Sequence, residues 1–463
     1  MEEVMDKIGL LKTRKDALLS AGADIRKKIA ALVDENSFVE LDAFSFSKNE
    51  FYGEDVPGEG VVCGFAAIND YAVYVVAINP AVLSGGLTNA GCKKIVKCLD
   101  KALKAQAPVI YVLSSKGVAV GEGVAVLEGV AEIIAKMQEL SDVLPQFSVA
   151  CGDVFGSAAL MIAACDYNYY MKDACVSYVS PLVVAAKNGV SLDKESIGGA
   201  KSAKDNALCS FTVADMTEVR NSVSDILEIL PDFGGRLLET GDDLNRVAPA
   251  LDNDADAKAV LEAVFDKDYC VELNKDYAPE VKTVIGRIGG YSAAAVVFDG
   301  KDGVLLNNDN LDKVISFYYF CAQYDLPAIT FVNTLGVCPC EKVAKSRILK
   351  DINNLVYAFS FDFAKINVIY KRAIGLGYTL FGSKALGADY SFAFANAEIS
   401  VVNSEEGAEI ECAANGGNKA DIKARFVADG MDAMNAAKCG YIDNVIEPKN
   451  VRPYLISALQ MLY

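Results

Sequence analysis

The chain has 463 residues, 52% hydrophobic and 23% charged, which excludes a disordered protein and leaves room for two or more cores. Its 44 Lys and Arg against 62 Asp and Glu give a net charge of −18, so nucleic acid, which needs clustered cations, is excluded as the expected partner. Histidine is absent, which removes Ser-His-Asp triads, Cys-His dyads and His-ligated metals.

Residues 1–31 read as a charged helical lead-in, and the acidic start Met1-Glu2-Glu3 does not fit a signal peptide. Phe38-Val39-Glu40-Leu41 follows, and then positions 95, 98, 99, 102 and 103 are apolar at helical spacing. After Pro108 the run 109–113 reads as a buried strand, and 147–151 as another that ends in a glycine-bearing turn into a helix. The polar stretch 232–256, with Gly234-Gly235, Gly241-Asp242-Asp243 and Asp252-Asn253-Asp254, reads as a linker. Beyond it the series returns: Cys270-Val271-Glu272-Leu273, a helical stripe at 314, 317, 318, 321 and 322, and strands at 328–332 and 366–370. Lys94 and Pro108 recur as Lys313 and Pro327, and Gly156-Ser157-Ala158 recurs as Gly375-Leu376-Gly377, each 219 positions on. Asp166 and Ser177 recur as Asp389 and Ser400 after a small insertion. This order of matches means a duplicated α/β domain.

The strand-to-helix turns after Cys151 and Tyr370 are the candidate sites. A glycine there lets backbone N–H groups face a pocket at a helix N-terminus, which is an oxyanion hole needing no titratable side chain. One such glycine is ordinarily a plain turn residue; two at equivalent places in a duplicated fold carry more weight. The turn Ser114-Ser115-Lys116-Gly117-Val118-Ala119 offers a partner N–H, with Lys116 equally readable as a solvated loop charge. The 13 cysteines are scattered through apolar stretches, and Cys338-Pro339-Cys340 has no second pair at zinc spacing. No metal and a reduced, cytoplasmic setting are expected. No apolar run approaches the ~18 residues of a membrane span, so any membrane association would come through a partner.

Taken together, Phe38 to Asp42, Ala107-Pro108-Val109-Ile110, Glu122-Gly123, Ile197-Gly198-Gly199-Ala200-Lys201, Leu335-Gly336, Ser383-Lys384-x-Leu386-Gly387-Ala388-Asp389 and Ala397-Glu398-Ile399-Ser400-Val401 resemble one family. It is that of the carboxyltransferase subunits of biotin-dependent acyl-CoA carboxylases and decarboxylases, of the propionyl-CoA carboxylase beta and methylmalonyl-CoA decarboxylase alpha type. The resemblance implies an α/β fold of tandem duplicated crotonase-like (ClpP/crotonase) domains. Residues 1–235 would form an acyl-CoA-binding domain and 257–463 a biotin-binding domain. Carboxyl would pass between biotin on a carrier protein and the carbon α to a short acyl thioester, with enolate-like anions held by backbone N–H groups. In such enzymes the site lies where two protomers meet, so a homodimer or a hexamer built as a trimer of dimers is implied. Implied partners are the biotin carboxyl carrier protein and either a biotin carboxylase or a membrane decarboxylase subunit.

By position, the resemblance puts Gly156, Ser157, Leu376 and Gly377 in the catalytic holes. Lys116, Gly117, Val118, Gly198, Gly199, Gly375 and Tyr378 would bind substrate. The chain departs from the family at Lys116, Ser157 and Leu376, where glycine is usual, and at Ala119, Ala203 and Thr379, where Arg, His and Asp are usual. Two other readings stand beside carboxyl transfer. One is a scaffold that has lost its chemistry, and the other a crotonase-like hydratase or isomerase with Glu122 as its carboxylate; the preferred reading of that residue is an acid stabilised at a helix N-terminus.

Overall fold

A computed structural model of the chain describes residues 6–45, 56–141, 143–252, 256–267, 269–430 and 432–463. Met1-Glu2-Glu3 and the linker residues Asn253 and Asp254 lie outside the described residues. The chain divides into two compact units, residues 1–224 and 225–463, so the stretch read as a linker belongs to the second unit. The lead-in is a pair of helices, Lys7–Ala21 and Ala23–Leu32.

The first unit is built on strands β1 Val39–Leu41, β2 Val61–Ile68, β3 Tyr71–Ile78, β4 Val109–Ser115, β5 Gln146–Phe155, β6 Tyr167–Met171, β7 Cys175–Ser177 and β8 Phe211–Val213. They run in the order β1-β2-β3-β4-β5-β6-β8, antiparallel through β1-β2-β3 and parallel from there on. The far end of β5 leaves β6 and pairs with β7 instead. The second unit repeats this with β9 Cys270–Leu273, β10 Val281–Ile288, β11 Tyr291–Phe298, β12 Val304–Leu306, β13 Ala328–Val337, β14 Lys365–Ile374, β15 Tyr390–Phe394, β16 Glu398–Ser400 and β17 Asn444–Ile446. Its order β9-β10-β11-β13-β14-β15-β17 is the same topology, and β16 takes the far end of β14 as β7 takes that of β5.

The helices that cover the sheets form where the apolar spacing predicts them. Helix Asn89–Ala105 starts on Thr88, whose hydroxyl accepts the Gly91 N–H at 2.9 Å, and buries Cys92, Ile95, Cys98, Leu99 and Ala102 along one stripe. Helix Asn308–Gln323 opens with reciprocal capping between Asn307 and Asn310, and buries Val314, Phe317, Tyr318 and Cys321. Each helix also buries one cation. Lys94 Nζ donates to the carbonyls of Gly58 and Val61 at 3.2 and 2.6 Å, and Lys313 Nζ to those of Tyr277 and Ala278 at 2.7 and 3.5 Å. An ammonium buried this way needs such acceptors, and the duplication has kept them in both copies.

The repeated aspartates have a local reason too. Asp166 exchanges hydrogen bonds with Gln146 at the start of β5: its carboxylate takes the Gln146 N–H at 2.8 Å and its own N–H goes to the Gln146 carbonyl at 3.0 Å. Asp389 clasps Lys365 at the start of β14 in the same way, with both contacts at 2.8 Å. The strands run further than their apolar cores: β5 continues through Gly152 and Asp153 to Phe155, and β14 through Lys371 and Arg372 to Ile374.

Candidate active site

In the first unit β5 ends at Phe155, and Gly156 turns the chain with φ 62° and ψ −135° into the helix Ser157–Ala163. That left-handed backbone is what calls for glycine here. The N–H of Gly156 is bonded to the carbonyl of Ser177, the last residue of β7, at 3.0 Å. A second turn follows β4. Gly117, at φ 112°, donates its N–H to Ser115 Oγ at 3.1 Å, and that hydroxyl lies 2.6 Å from the Gly85 carbonyl. The turn is tied down on both sides of Val118: Leu87 N–H reaches the Gly117 carbonyl at 3.0 Å, and Ala119 N–H reaches the Leu87 carbonyl at 2.8 Å. The two turns touch, since a Cβ on Gly156 would lie 3.9 Å from the Gly117 Cα. Among the described residues no acceptor takes the N–H of Ser157 or of Val118. Gly156 and Gly117 therefore enter as backbone shape, and Ser157 and Val118 carry the spare donors.

The second unit repeats this bond for bond. Gly375, at φ 54°, gives its N–H to the Ser400 carbonyl at 2.9 Å, and Gly336, at φ 89°, gives its own to Thr334 Oγ1 at 3.1 Å. Thr334 Oγ1 donates to the Val304 carbonyl at 2.8 Å, and Cys338 N–H reaches the Leu306 carbonyl at 2.9 Å. Each partner sits 219 or 223 positions after its counterpart. Here the spare N–H groups, again among the described residues, belong to Leu376 and Gly377, and to Val337, whose neighbours Gly336 and Cys338 make the ladder bonds to Leu306 in its place. A Cβ on Gly336 would stand 3.8 Å from the Leu376 nitrogen and 3.9 Å from that of Gly377, so the two turns face each other closely. Val337 is the residue the sequence reading missed, although adding 219 to Val118 finds it.

The remaining candidates separate. Lys116 is exposed beside the first turn, with its N–H on the Ser84 carbonyl at 3.3 Å and no ion pair to its side chain among the described residues. Tyr378 does not separate: half-buried, it lines the same cavity as Gly375 and Leu376, and burial pushes its phenol up and keeps it neutral. Gly198 and Gly199 pack against β7: a Cβ on Gly198 would fall 2.1 Å from the Val176 carbonyl, and Gly199 bridges to Cys175. They support the strand that anchors Gly156. Glu122 caps a helix, but one distant in sequence. Its carboxylate takes the N–H of Asn89 at 2.5 Å, the first residue of helix Asn89–Ala105. There it meets the positive end of the helix dipole.

The second turn opens into a cavity of about 890 Å³. Leu376 lines it, 47% exposed, with Ile399, Val401, Phe426, Asp432 and Tyr441 among the other walls. The far wall comes from Arg425, Phe426, Asp432, Asn435, Ala436 and Tyr441, about fifty positions or more after the turn, with no sequence signal that pairs them. Tandem αβ units of one topology with matching backbone turns make up a duplicated crotonase-like fold. The chain belongs to the carboxyl transferase domain family, whose pattern spans residues 22–463. It is 30% identical to the methylmalonyl-CoA decarboxylase subunit alpha of Veillonella parvula, over 100% of this chain and 97% of that one. It is 29% identical to the propionyl-CoA carboxylase beta chain of Saccharopolyspora erythraea, over 94% of this chain and 87% of that one. The hexameric transcarboxylase 12S, whose structure holds methylmalonyl-coenzyme A and methylmalonic acid, has the same fold: TM-score 0.92 at 22% identity, covering 100% of this chain and 96% of that one. No helix among the described residues is long and apolar enough to cross a membrane.

Proposed function

We propose that this chain moves a carboxyl group between biotin on a carrier protein and the α carbon of a short acyl-CoA, of the methylmalonyl/propionyl, malonyl/acetyl or glutaconyl/crotonyl type. The observation that carries the reading is the pair of matching turns whose spare backbone N–H groups need no titratable side chain beside them. Removing a carboxyl or a proton from the α carbon of a thioester throws negative charge onto its carbonyl oxygen. Donors fixed in advance where that charge develops stabilise the transition state more than the ground state.

In this reading Ser157 and Val118 serve the thioester oxygen in the first unit. Lys116, exposed and without an ion pair among the described residues, is placed to meet coenzyme A phosphates. Leu376, Gly377 and Val337 serve the ureido oxygen of biotin in the second unit, whose cavity has room for a compact bicyclic ring. Biotin supplies the nitrogen that carries the carboxyl; the chain orients it and keeps water away. The names of the relatives favour the methylmalonyl/propionyl pair over the other acyl groups. Both directions of transfer occur among those names, which leaves a biotin carboxylase and a membrane decarboxylase subunit as the two alternative neighbours. The working unit is a dimer or a trimer of dimers, so light scattering should give at least twice the 49.4 kDa chain mass.

The test is to incubate the purified chain with free biotin and, separately, malonyl-, methylmalonyl- and glutaconyl-CoA. Carboxylated biotin should appear together with the matching decarboxylated thioester. Failure with all three thioesters would favour a scaffold. Hydration or isomerisation of an enoyl-CoA that depends on Glu122 would favour the crotonase-like alternative.

A further inference from the structure

The two donor turns share a backbone and differ in one side chain. Position 157 holds serine and the equivalent position 376 holds leucine. In the second turn the neighbouring positions have no freedom. Gly375 sits at φ 54°, with the Val401 carbonyl 3.0 Å from where a Cβ would be. A Cβ on Gly377 would lie 2.4 Å from Thr334 Cγ2, closer than real Cβ contacts come. Residue 376 is thus the one place in this three-residue turn where a side chain can enter the cavity, and it carries a large apolar group left 47% exposed. An exposed leucine on the wall of a concave pocket, beside Ile399, Val401 and Phe426, has the chemistry of a ligand-contacting surface.

We infer that Leu376 is a specificity-determining residue of the second cavity: its isobutyl group forms an apolar wall with Ile399, Val401 and Phe426 against the tetrahydrothiophene ring of the biotin bicycle, while its own N–H faces the ureido edge. This rests on the function proposed above and adds to it a side chain that sets how tightly the biotin ring is held. The serine at the equivalent position of the first unit leaves that turn without such a wall. The apolar contact also explains how a backbone donor at 376 is kept from water once the cavity is filled.

The experiment compares wild type, Leu376→Ser (which copies the first turn) and Leu376→Met, with two readouts. One is equilibrium binding of free biotin by calorimetry, and the other is the KM for biotin and for methylmalonyl-CoA in carboxyl transfer. Leu376→Ser should weaken biotin binding and raise its KM by roughly tenfold, as loss of a partly buried leucine contact does. The rise in KM should exceed any fall in kcat, the methylmalonyl-CoA KM should stay within about twofold, and Leu376→Met should restore biotin affinity. Equal biotin affinity in wild type and Leu376→Ser, with wild-type transfer intact, overturns this inference and leaves the function standing. A wild-type chain that neither binds nor carboxylates biotin overturns both. A change confined to the methylmalonyl-CoA KM would assign the cavity to the thioester and overturn the inference as well.

Discussion

The first and second units hold the same turn in different surroundings. In both, a left-handed glycine ends a long strand and hands its N–H to a short parallel strand, at 3.0 Å to Ser177 and 2.9 Å to Ser400. In both, a hydroxyl, of Ser115 or Thr334, fixes the glycine of the facing turn at 3.1 Å. Around that constant backbone the side chains diverge: Lys116 and Ser157 flank the first turn, Leu335 and Leu376 the second. In the proposed function a cation and a small polar group suit a phosphate-bearing thioester, whereas Leu376 on the wall of the second cavity suits a compact ring with an apolar face. Under the proposed function, duplication kept the backbone that would handle developing charge and released the side chains that would recognise the ligand.

The largest expected effect comes from deleting a donor in each copy at the equivalent position. Ser157→Pro and Leu376→Pro each remove one backbone N–H, and each should slow carboxyl transfer by roughly 10²–10³ with kcat suffering most. Melting temperatures must show both variants folded. Gly377→Pro is the poorer choice, because Thr334 already stands where its Cβ would go. If only one of the two variants loses activity, the turns are not functional equivalents and the comparison breaks.

Smaller effects sharpen it. Lys116→Ala should raise the acyl-CoA KM by roughly three- to fivefold, the size of one exposed ionic contact, and leave the biotin KM alone. A steeper salt dependence of that KM in wild type than in the variant would support the contact. Glu122→Gln should change turnover by less than about tenfold, since loss of a side-chain base usually costs roughly 10²–10⁴. It should instead lower stability by about 0.3–1 kcal/mol in denaturant titration, because the carboxylate no longer meets the start of helix Asn89–Ala105.

The smallest effect concerns the buried lysines. Burial pulls the ammonium of Lys313 from its ordinary 10.5 down to about 8, and moves that of Lys94 in the same direction. Between these values the unfolded chain keeps a proton that the folded one has lost, so Lys313 adds stability as pH rises from about 8 towards 10.5. The stability of wild type relative to Lys313→Met should therefore rise from about pH 7.5 to pH 9.5, whichever of the two is the more stable at the start. A relative stability that falls over that range would contradict a neutralised lysine.

Much of this was legible in the sequence because duplication wrote it twice. The 219-position offset aligned Gly156 with Gly375, and the apolar runs at 109–113 and 328–332 marked the strands that carry the turns. Strand ends escaped because Gly152-Asp153 and Lys371-Arg372 break the apolar run, while pairing with β7 and β16 continues the ladder regardless. Glu122 was legible as an acid at a helix N-terminus, but which helix escaped, because its partner, Asn89, lies 33 residues away and is brought near only by the fold. The split between glycines that shape the turn and neighbours that donate also depends on pairing partners 21 and 25 residues downstream, which local pattern does not reveal. Lys94 and Lys313 were visible as a repeat, yet a lysine on a helix reads as solvated until the carbonyls of the preceding loops are seen around it.

The central claim is that carboxyl transfer rests on backbone donors and on no side-chain base. It is tested most directly by following labelled carboxyl from methylmalonyl-CoA to free biotin with wild type, Glu122→Gln and Ser157→Pro in one assay. The account predicts transfer by wild type, a rate within about tenfold of it for Glu122→Gln, and a drop of roughly 10²–10³ for folded Ser157→Pro. Loss of transfer in Glu122→Gln with Ser157→Pro near wild type would contradict it.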